Sequence, residues 1–206
     1  MTLRVGVDIG GTFTDAIAIS DNGEISTAKA LTTSGRLADG VLSAIKALDI
    51  DVSGIDYFVH GTTAGLNAFL EKRGARVALI TTRGFRDVYE IGRANRPDMY
   101  NLKYKSPRPL IERRDRFEVT ERLTSDGAVH TPVDMNEIKE LVPHLKANYD
   151  AVAIVLLHSY KNPAHEQEIA KYLTSALPNL SIVTSSVVAP EWREYERTST
   201  TAISAY

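Results

Sequence analysis

The sequence contains no cysteine, which excludes a disulfide framework, thiolate metal sites and a cysteine nucleophile. It also contains no apolar run that approaches the roughly 20 residues of a membrane-spanning helix. No signal-type segment precedes the first strand-like stretch, which begins at Leu3. From these absences we expect a cytoplasmic protein that does not enter a membrane.

The sequence has no surplus of charge of either sign. Its 24 basic and 26 acidic residues are interspersed and give a formal net charge of -2. Because no stretch is electropositive, we expect binding neither to nucleic acid nor to an anionic membrane. Two catalytic patterns are also missing: no Gly-Lys-Ser/Thr follows a glycine-rich turn, and no Ser-His-Asp order with a nucleophile elbow occurs.

The spacing of the apolar residues changes repeatedly between a period of two and a period of 3.6, which predicts an α/β fold. The first part predicts an antiparallel meander with strands at Leu3–Ile9, 14–20 and 24–30, followed by an amphipathic helix over 35–48. Short strands then alternate with helices. The strands are predicted at 57–60, 76–81, 116–122, 151–157 and 181–184, and the helices at 62–73, 85–91, 136–147, 163–177 and from Trp192 onwards.

Residues 92–114 are rich in Pro, Arg, Asn and Tyr and show no clear period, so we expect a long ordered loop near a ligand. We treat residues 1–206 as one domain and as the front part of a longer chain, although this loop allows a subdivision near 92–115. The charged run over 113–122 is interpreted as the solvated face of a strand. Asp134 is positioned to cap the helix that follows it.

Two acids, two threonines and a glycine pair lie between the first two predicted strands, in VGVDIGGTFTDAIAI over residues 5–19. Adjacent glycines permit a positive φ and expose backbone N–H groups, which suit phosphate oxygens. Asp8 suits a magnesium ion held through water. The alternative is a plain hairpin with solvated polar residues. The residues predicted to cradle phosphate are Gly10, Gly11, Thr12 and Thr14.

A second polar constellation lies where a short predicted strand passes into a helix. Hydroxyls and free N–H groups at the positive end of a helix favour an anion, although a simple threonine cap is the alternative. The residues of this candidate site are His60, Gly61, Thr62 and Thr63.

Arginines cluster at the start of the long loop, and guanidinium groups suit carboxylate or phosphate oxygens of a substrate. The candidates are Arg83, Arg93 and Arg96. Pairing of these arginines with Asp87 and Glu90 is the alternative. His158 and His165 do not indicate a zinc site, because no third ligand lies near them in the sequence.

Several motifs, taken in order, resemble the amino-terminal domain of the hydantoinase A and 5-oxoprolinase family, to which a subunit of acetone carboxylase also belongs. The glycine-rich hairpin by itself resembles the first phosphate motif of the actin and sugar-kinase superfamily. The resemblance covers essentially the whole chain. The motifs are VDIGGTFTD (7–15), HGTT (60–63) with Asn67-Ala68, GAR (74–76) with LITTRGFRD (79–87), EIGR (90–93) with Arg96-Pro97, and EYERTSTTAISA (194–205).

The resemblance implies an actin/hexokinase-like (ribonuclease H-like) α/β lobe that opens with an antiparallel β-hairpin meander, followed by βα units. It implies ATP and magnesium as cofactors, and ATP-dependent opening of a cyclic amide of the hydantoin or 5-oxoproline type through carbonyl phosphorylation. In the carboxylase branch the substrate is a ketone. It further implies a B-type hydantoinase subunit or fused domain as partner.

In this scheme Asp8 and Asp15 are the catalytic candidates: Asp8 holds magnesium through water, and Asp15 orients the loop or assists proton movement. The segment that begins at His60 lines the same cleft. Two alternatives stay open, namely a sugar or acyl kinase of the same superfamily and a non-catalytic nucleotide- or partner-binding module. No second Asp-Gly-Gly turn follows Asp15, so we expect this stretch alone to be inactive.

Overall fold

The protein is described by a computed structural model that covers residues 2–33, 35–95, 98–105 and 107–206. The chain divides into two compact units between residues 73 and 74, here named unit 1 and unit 2 in chain order. The sequence allows a subdivision near 92–115, but that segment lies within unit 2. Its two ends are held there by ion pairs, Arg93 with Glu196 and Arg113 with Asp87.

Unit 1 is a four-stranded sheet with a helix on one face. Its elements are β1 (Leu3–Ile9), β2 (Phe13–Ser20), β3 (Ile25–Leu31), α1 (Leu37–Ala47), β4 (Ile55–Thr62) and α2 (Ala64–Glu71). The strand order is β3-β2-β1-β4, in which β2 is antiparallel to both of its neighbours and β4 is parallel to β1. The predicted meander and the helix after it are confirmed.

The core of unit 1 lies between the sheet and α1. Val5, Val7 and Ile9 alternate along β1 toward this core and pack with Ala44 and Ile45 of α1. Because successive strand residues point to opposite faces, the residues between them belong to the other face of the sheet. That face is exposed, and it carries the candidate site.

Unit 2 is built on a four-stranded parallel sheet. Its elements are β5 (Val77–Thr82), α3 (Val88–Ile91), β6 (Arg116–Val119), β7 (Arg122–Leu123), β8 (Val129–Thr131), α4 (Met135–Asn148), β9 (Ala151–Val155), α5 (Ala164–Ala176), β10 (Ser181–Thr184), α6 (Ser185–Val188) and α7 (Glu194–Ala205). The strand order is β10-β9-β5-β6, and β7 and β8 form a separate hairpin. Every residue of β5 and β9 is buried, as expected of parallel strands covered on both faces.

The charged run over 113–122 is not the solvated strand face that its pattern indicates. The strand ends at Val119, and Arg116 is 2% exposed. Its Nε donates to the Ile111 carbonyl at 3.0 Å, and its Nη1 lies 3.1 Å from a carboxylate oxygen of Glu90. These oxygens and the ring of Tyr89, over which the guanidinium lies, compensate part of the cost of burying the charge, although Nη2 of Arg116 has no partner in the described chain.

Side-chain hydrogen bonds explain two local features of helices in unit 2. The Asp134 carboxylate accepts from the backbone N–H of Asn136 at 2.9 Å, which confirms the cap of α4. The hydroxyl groups of α7 each donate to the carbonyl four residues earlier, at 2.6 to 2.9 Å. These bonds explain how a helix tolerates four consecutive residues that disfavour helices. Those residues are Thr198, Ser199, Thr200 and Thr201.

Among the described residues, no helix has the length and apolar character needed to cross a membrane.

Candidate functional site

Four neighbouring strands of unit 1 bring one residue each into a transverse row on the exposed face of the sheet. Asp8 pairs with Asp15 across β1 and β2, Asp15 pairs with Lys29 across β2 and β3, and Asp8 pairs with Gly61 across β1 and β4. Residues directly opposite each other on paired strands share a face. The two predicted catalytic acids therefore lie side by side, between a lysine and a glycine.

A concavity of about 590 Å³ opens on this face of unit 1, and all four residues of the row line it. Two glycines help to make it concave. A Cβ on Gly6 of β1 would lie 3.3 Å from Cγ2 of Ile17, and a Cβ on Gly61 would lie 3.8 Å from Oδ1 of Asp8. Within the described part of the chain, the Asp8 carboxylate has no hydrogen-bond or ion-pair partner. It is therefore free to face a ligand.

The loop between β1 and β2 is closed by a hydrogen bond from the Gly10 N–H to the Phe13 carbonyl at 2.9 Å. Neither Gly10 nor Gly11 has a positive φ, so that expectation is wrong. The glycines are needed for space instead. A Cβ on Gly10 would lie 2.8 Å from the Phe13 oxygen, and one on Gly11 would lie 3.0 Å from Nδ2 of Asn67. At Gly10 the backbone therefore excludes a side chain, whereas at Gly11 the Asn67 side chain would have to move to admit one.

Free hydrogen-bond donors lie at the tip of this loop. Among the described residues, the backbone N–H groups of Gly11 and Thr12 and the Thr12 hydroxyl have no partner. The Thr12 carbonyl accepts from the N–H of Thr32 at 2.9 Å, which fastens the loop to the end of β3. Consecutive exposed N–H groups on a fixed loop form an anion-binding concavity.

Thr14 does not take the role predicted for it, which was to bind phosphate. It is completely buried on the face covered by α1, opposite the acids. Its hydroxyl lies 2.9 Å from the hydroxyl of Thr32, which in turn donates to the Gly10 carbonyl at 3.0 Å. Thr14 therefore holds the loop in place from behind, and its hydroxyl is not available to a ligand.

The residues of the second candidate site, 60–63, do not share one face of the sheet. Gly61 joins the acidic row, but His60 pairs with Val7 and so lies on the other face, with its ring centroid 6.2 Å from that of Phe58. The Thr62 hydroxyl accepts from the N–H of Ala64, the first residue of α2, at 3.1 Å, whereas the side chain of the N-cap residue Thr63 makes no capping bond.

Thr63, the other threonine of this segment, is also occupied. Its hydroxyl accepts from Nδ2 of Asn67 at 3.2 Å, and its N–H donates to the Ile9 carbonyl at 3.2 Å. Both threonine hydroxyls therefore have protein partners, and the anion site at this segment stays a prediction.

Two of the arginine candidates, Arg83 and Arg93, are described in unit 2, and both are paired. Nη2 of Arg83 lies 2.5 Å from a carboxylate oxygen of Glu137, and the guanidinium of Arg93 bonds Glu196. Arg96 lies outside the described residues. Asp87 and Glu90, the partners suggested by the sequence, instead bind Arg113 and Arg116. Of the two described candidates, neither is assigned to a substrate by its geometry, and this role stays a prediction.

Sequence reasoning missed a buried polar network at the carboxyl end of the sheet in unit 2. Arg197 is 1% exposed; its Nη1 donates to the Ser185 hydroxyl at 2.9 Å and its Nη2 to the Leu156 carbonyl at 2.8 Å. Fully buried Glu166 accepts from the Leu156 N–H at 2.9 Å and from the Ser185 hydroxyl at 2.6 Å. The network ties the ends of β9 and β10 to α5 and α7.

His158 follows β9 in a left-handed conformation with φ of 60°, and its Nδ1 is buried without a partner in the described chain. Burial, together with the charges of Arg197 and Arg122, lowers the pKa of His158. The unfolded chain therefore binds this proton more readily. His158 contributes stability above its unfolded pKa, and that contribution is lost as the pH falls toward the folded pKa.

We expect an NMR titration to show His158 with a pKa below the usual histidine range, with the signal assigned by its loss in His158→Gln. A pKa at or above the usual range would contradict the burial of this ring.

The residues of the acidic row fit a magnesium ion only in combination with other ligands. Among the described residues, no group of three or more His, Asp or Glu side chains could hold a metal. Magnesium commonly keeps several waters and uses one or two carboxylates plus substrate phosphates. The pair Asp8 and Asp15, beside free N–H donors for phosphate, meets that requirement.

The sequence matches the hydantoinase/oxoprolinase N-terminal region over residues 4–177. It is 43% identical to an uncharacterised protein of Methanocaldococcus jannaschii, over 100% of this chain and 31% of that protein. It is 35% identical to caprolactamase subunit alpha of Pseudomonas jessenii, over 98% of this chain and 31% of that subunit.

Two solved structures resemble the protein closely. The ATP-dependent caprolactamase from Pseudomonas jessenii gives a TM-score of 0.84 at 35% identity, covering 98% of this chain and 31% of that one. Nucleotide-free acetone carboxylase gives a TM-score of 0.87 at 26% identity, covering 99% and 32%. These likenesses confirm the predicted α/β lobe. The chain spans about a third of the length of these proteins.

Proposed function

The chain belongs to the hydantoinase/oxoprolinase N-terminal family, and from this membership we propose that it is the phosphate-binding lobe of an ATP-dependent enzyme that opens a cyclic amide. One observation carries the proposal. The Asp8 carboxylate and the N–H groups of Gly11 and Thr12 have no partner among the described residues, and they belong to one hairpin whose form is fixed by hydrogen bonds. An acid suited to a metal beside donors suited to phosphate is the arrangement that magnesium nucleotide binding requires.

The proposed roles follow from the position of each group. The N–H groups of Gly11 and Thr12 and the Thr12 hydroxyl bind phosphate oxygens, and Asp8 accepts hydrogen bonds from magnesium-bound water. Asp15 shapes the row beside Asp8, and Thr14 holds the loop from the buried face. ATP, when bound with magnesium, supplies a phosphoryl group that turns an amide carbonyl oxygen into part of a leaving group. Positioning and charge neutralisation are what the protein adds.

The substrate class is proposed from the relatives. The chain shares 35% identity with a caprolactamase subunit and 26% with acetone carboxylase, which favours a cyclic amide of the lactam, hydantoin or 5-oxoproline type. ATP-dependent activation of a ketone is the second candidate, because the carboxylase has the higher TM-score. We propose that a B-type subunit or fused domain completes the enzyme, since the caprolactamase relative is itself named as a subunit.

Substrate-stimulated phosphate release from ATP by the full-length protein, together with its B-type partner, tests this function. We expect stimulation and ring-opened product with a lactam, hydantoin or 5-oxoproline, and none with the partner left out. Stimulation by acetone and bicarbonate alone would favour the ketone candidate. Phosphorylation of a sugar from a panel would contradict both.

Gly10→Ala is expected to lower kcat/KM for ATP by about 10- to 100-fold, because the new Cβ would press on the Phe13 carbonyl and shift the loop by a fraction of an ångström or more. Steady-state ATPase kinetics of the full-length protein measure this. Gly65→Ala in α2 is the matched control, since a Cβ there meets open space. Equal kinetics for the two variants would show that the tight loop is not needed for nucleotide.

A further inference from the structure

We propose that Lys29 is a phosphate ligand of the hairpin site and that its ammonium group leaves Asp15 for a phosphate oxygen when magnesium nucleotide binds. This inference rests on the proposed function and adds a ligand that neither the hairpin motif nor the family match assigns. Lys29 lies on β3, in the same transverse row as Asp8 and Asp15, and lines the same concavity.

The Lys29 side chain is held at the loop end of the concavity. Its Nζ lies 3.0 Å from Oδ1 of Asp15 and 5.0 Å from the centre of the Phe13 ring. Phe13 is the residue that directly follows the free donors of the loop. The ammonium group therefore lies over the ring of the residue next to those donors, and the ring limits the directions in which it can turn.

The ion pair between Lys29 and Asp15 is not needed for the fold. Their side chains are 57% and 53% exposed, and exposed pairs contribute little to stability because water and salt screen them. Breaking this ion pair therefore costs little free energy. Exchange of the Asp15 carboxylate for a more highly charged phosphate is favourable for the Lys29 ammonium group. Lysine commonly binds phosphate in this way, as a compact point charge.

Binding of phosphate beside the two acids of the row also requires a cation. Asp8 and Asp15 together repel an anion, and Lys29 is the single cationic side chain among the described residues that line the concavity. While Lys29 pairs with Asp15, Asp8 has no partner in the described part of the chain and is available to the metal. With Lys29 and magnesium both present, the row changes from repelling phosphate to attracting it.

The experiment measures binding of a non-hydrolysable ATP analogue with magnesium to the full-length protein, by calorimetry at several salt concentrations. Lys29→Met is expected to weaken binding by about 10- to 100-fold and to reduce its dependence on salt. Lys29→Arg is expected to restore most of the affinity. Lys46→Met on α1 removes the same charge from unit 1 outside the concavity and is expected to bind as the wild type does.

Chemical acetylation of lysines, followed by mass spectrometry, gives a second readout on the unaltered protein. The ATP analogue is expected to prevent most of the acetylation of Lys29 and to leave the acetylation of Lys46 unchanged. This readout decides the matter even if a Lys29 variant fails to fold. Undiminished labelling of Lys29 at saturating nucleotide would overturn the inference.

A comparison with Asp8→Asn separates this inference from the proposed function. If Asp8→Asn loses nucleotide binding and Lys29→Met does not, Lys29 is a surface residue only and the proposed function stands. If both variants bind nucleotide like the wild type, the hairpin is not the phosphate site and both proposals are wrong.

Discussion

Asp8→Asn in the full-length protein is expected to reduce ATP turnover by about 100-fold or more, because it removes the charge proposed to hold the waters of magnesium. The fold is expected to survive. Asp8 is exposed and has no partner in the described chain, so the free energy of unfolding should change by less than about 0.5 kcal/mol. ATPase kinetics and chemical denaturation of the same preparation measure the two effects.

Asp49→Asn is the matched control for this variant. Asp49 is an exposed acid of unit 1 with φ of 53°, a conformation that asparagine also tolerates, and it lies outside the concavity. It loses the same charge and should leave turnover unchanged. A folded Asp8→Asn protein with near-normal turnover would contradict the role of the hairpin.

Arg197→Met is expected to lower the unfolding free energy of unit 2 by about 3 to 5 kcal/mol. The substitution leaves the Glu166 carboxylate, which is completely buried, without its nearest cation, and it orphans the Leu156 carbonyl. A buried charge without a partner lowers the stability of the folded state, whether or not the original ion pair made a net contribution to it. Denaturation followed by circular dichroism measures the loss, with unit 2 expected to unfold before unit 1.

Arg36→Met serves as the control, because the ion pair of Arg36 with Asp39 is exposed and should cost less than about 1 kcal/mol. The double variant Arg197→Met/Glu166→Gln should recover part of the loss, since the unpaired charge is then absent. An Arg197→Met protein as stable as the control variant would show that this network does not hold the ends of the strands together.

Local patterns in the sequence predict much of the fold. The limits of β1 and β10 agree with the prediction because each strand is a short apolar stretch between clear turn signals. The nearly unbroken apolar run that includes β9 indicates a strand covered on both faces, and it is one. The limits and the burial of these strands depend on residues that are close in sequence, so a local sequence pattern can predict them.

The faces of β2 could not be predicted from hydrophobicity. Its small residues Ala16 and Ala18 are buried at 4% and 2%, whereas the larger Ile17 is 39% exposed. Close packing of α1 explains this: a Cβ on Gly40 would lie only 3.2 Å from the Leu31 carbonyl, so small side chains fit beneath the helix. The orientation of Thr14 follows from this packing, and local composition does not reveal it.

The candidate site shows the same limit. The acids of the hairpin are visible in the sequence because they flank a glycine pair. The place of Lys29 depends on the register of β2 with β3, and the face on which His60 or Gly61 lies depends on the register of β1 with β4, which is far from it in sequence. Register follows from packing of whole faces, so a single motif cannot supply it. The burial of Arg197 is hidden for a similar reason, since its partners come from the segment after β9 and from the start of α6.

The most direct test of the account is a crystal structure of the full-length protein with Mn²⁺ and a non-hydrolysable ATP analogue, with anomalous data collected at the manganese edge. We predict an anomalous peak beside Asp8, joined to its carboxylate through water, and phosphate oxygens that accept hydrogen bonds from the N–H groups of Gly11 and Thr12. A nucleotide whose metal and phosphates lie away from the loop at Gly10 to Thr12 would contradict the account.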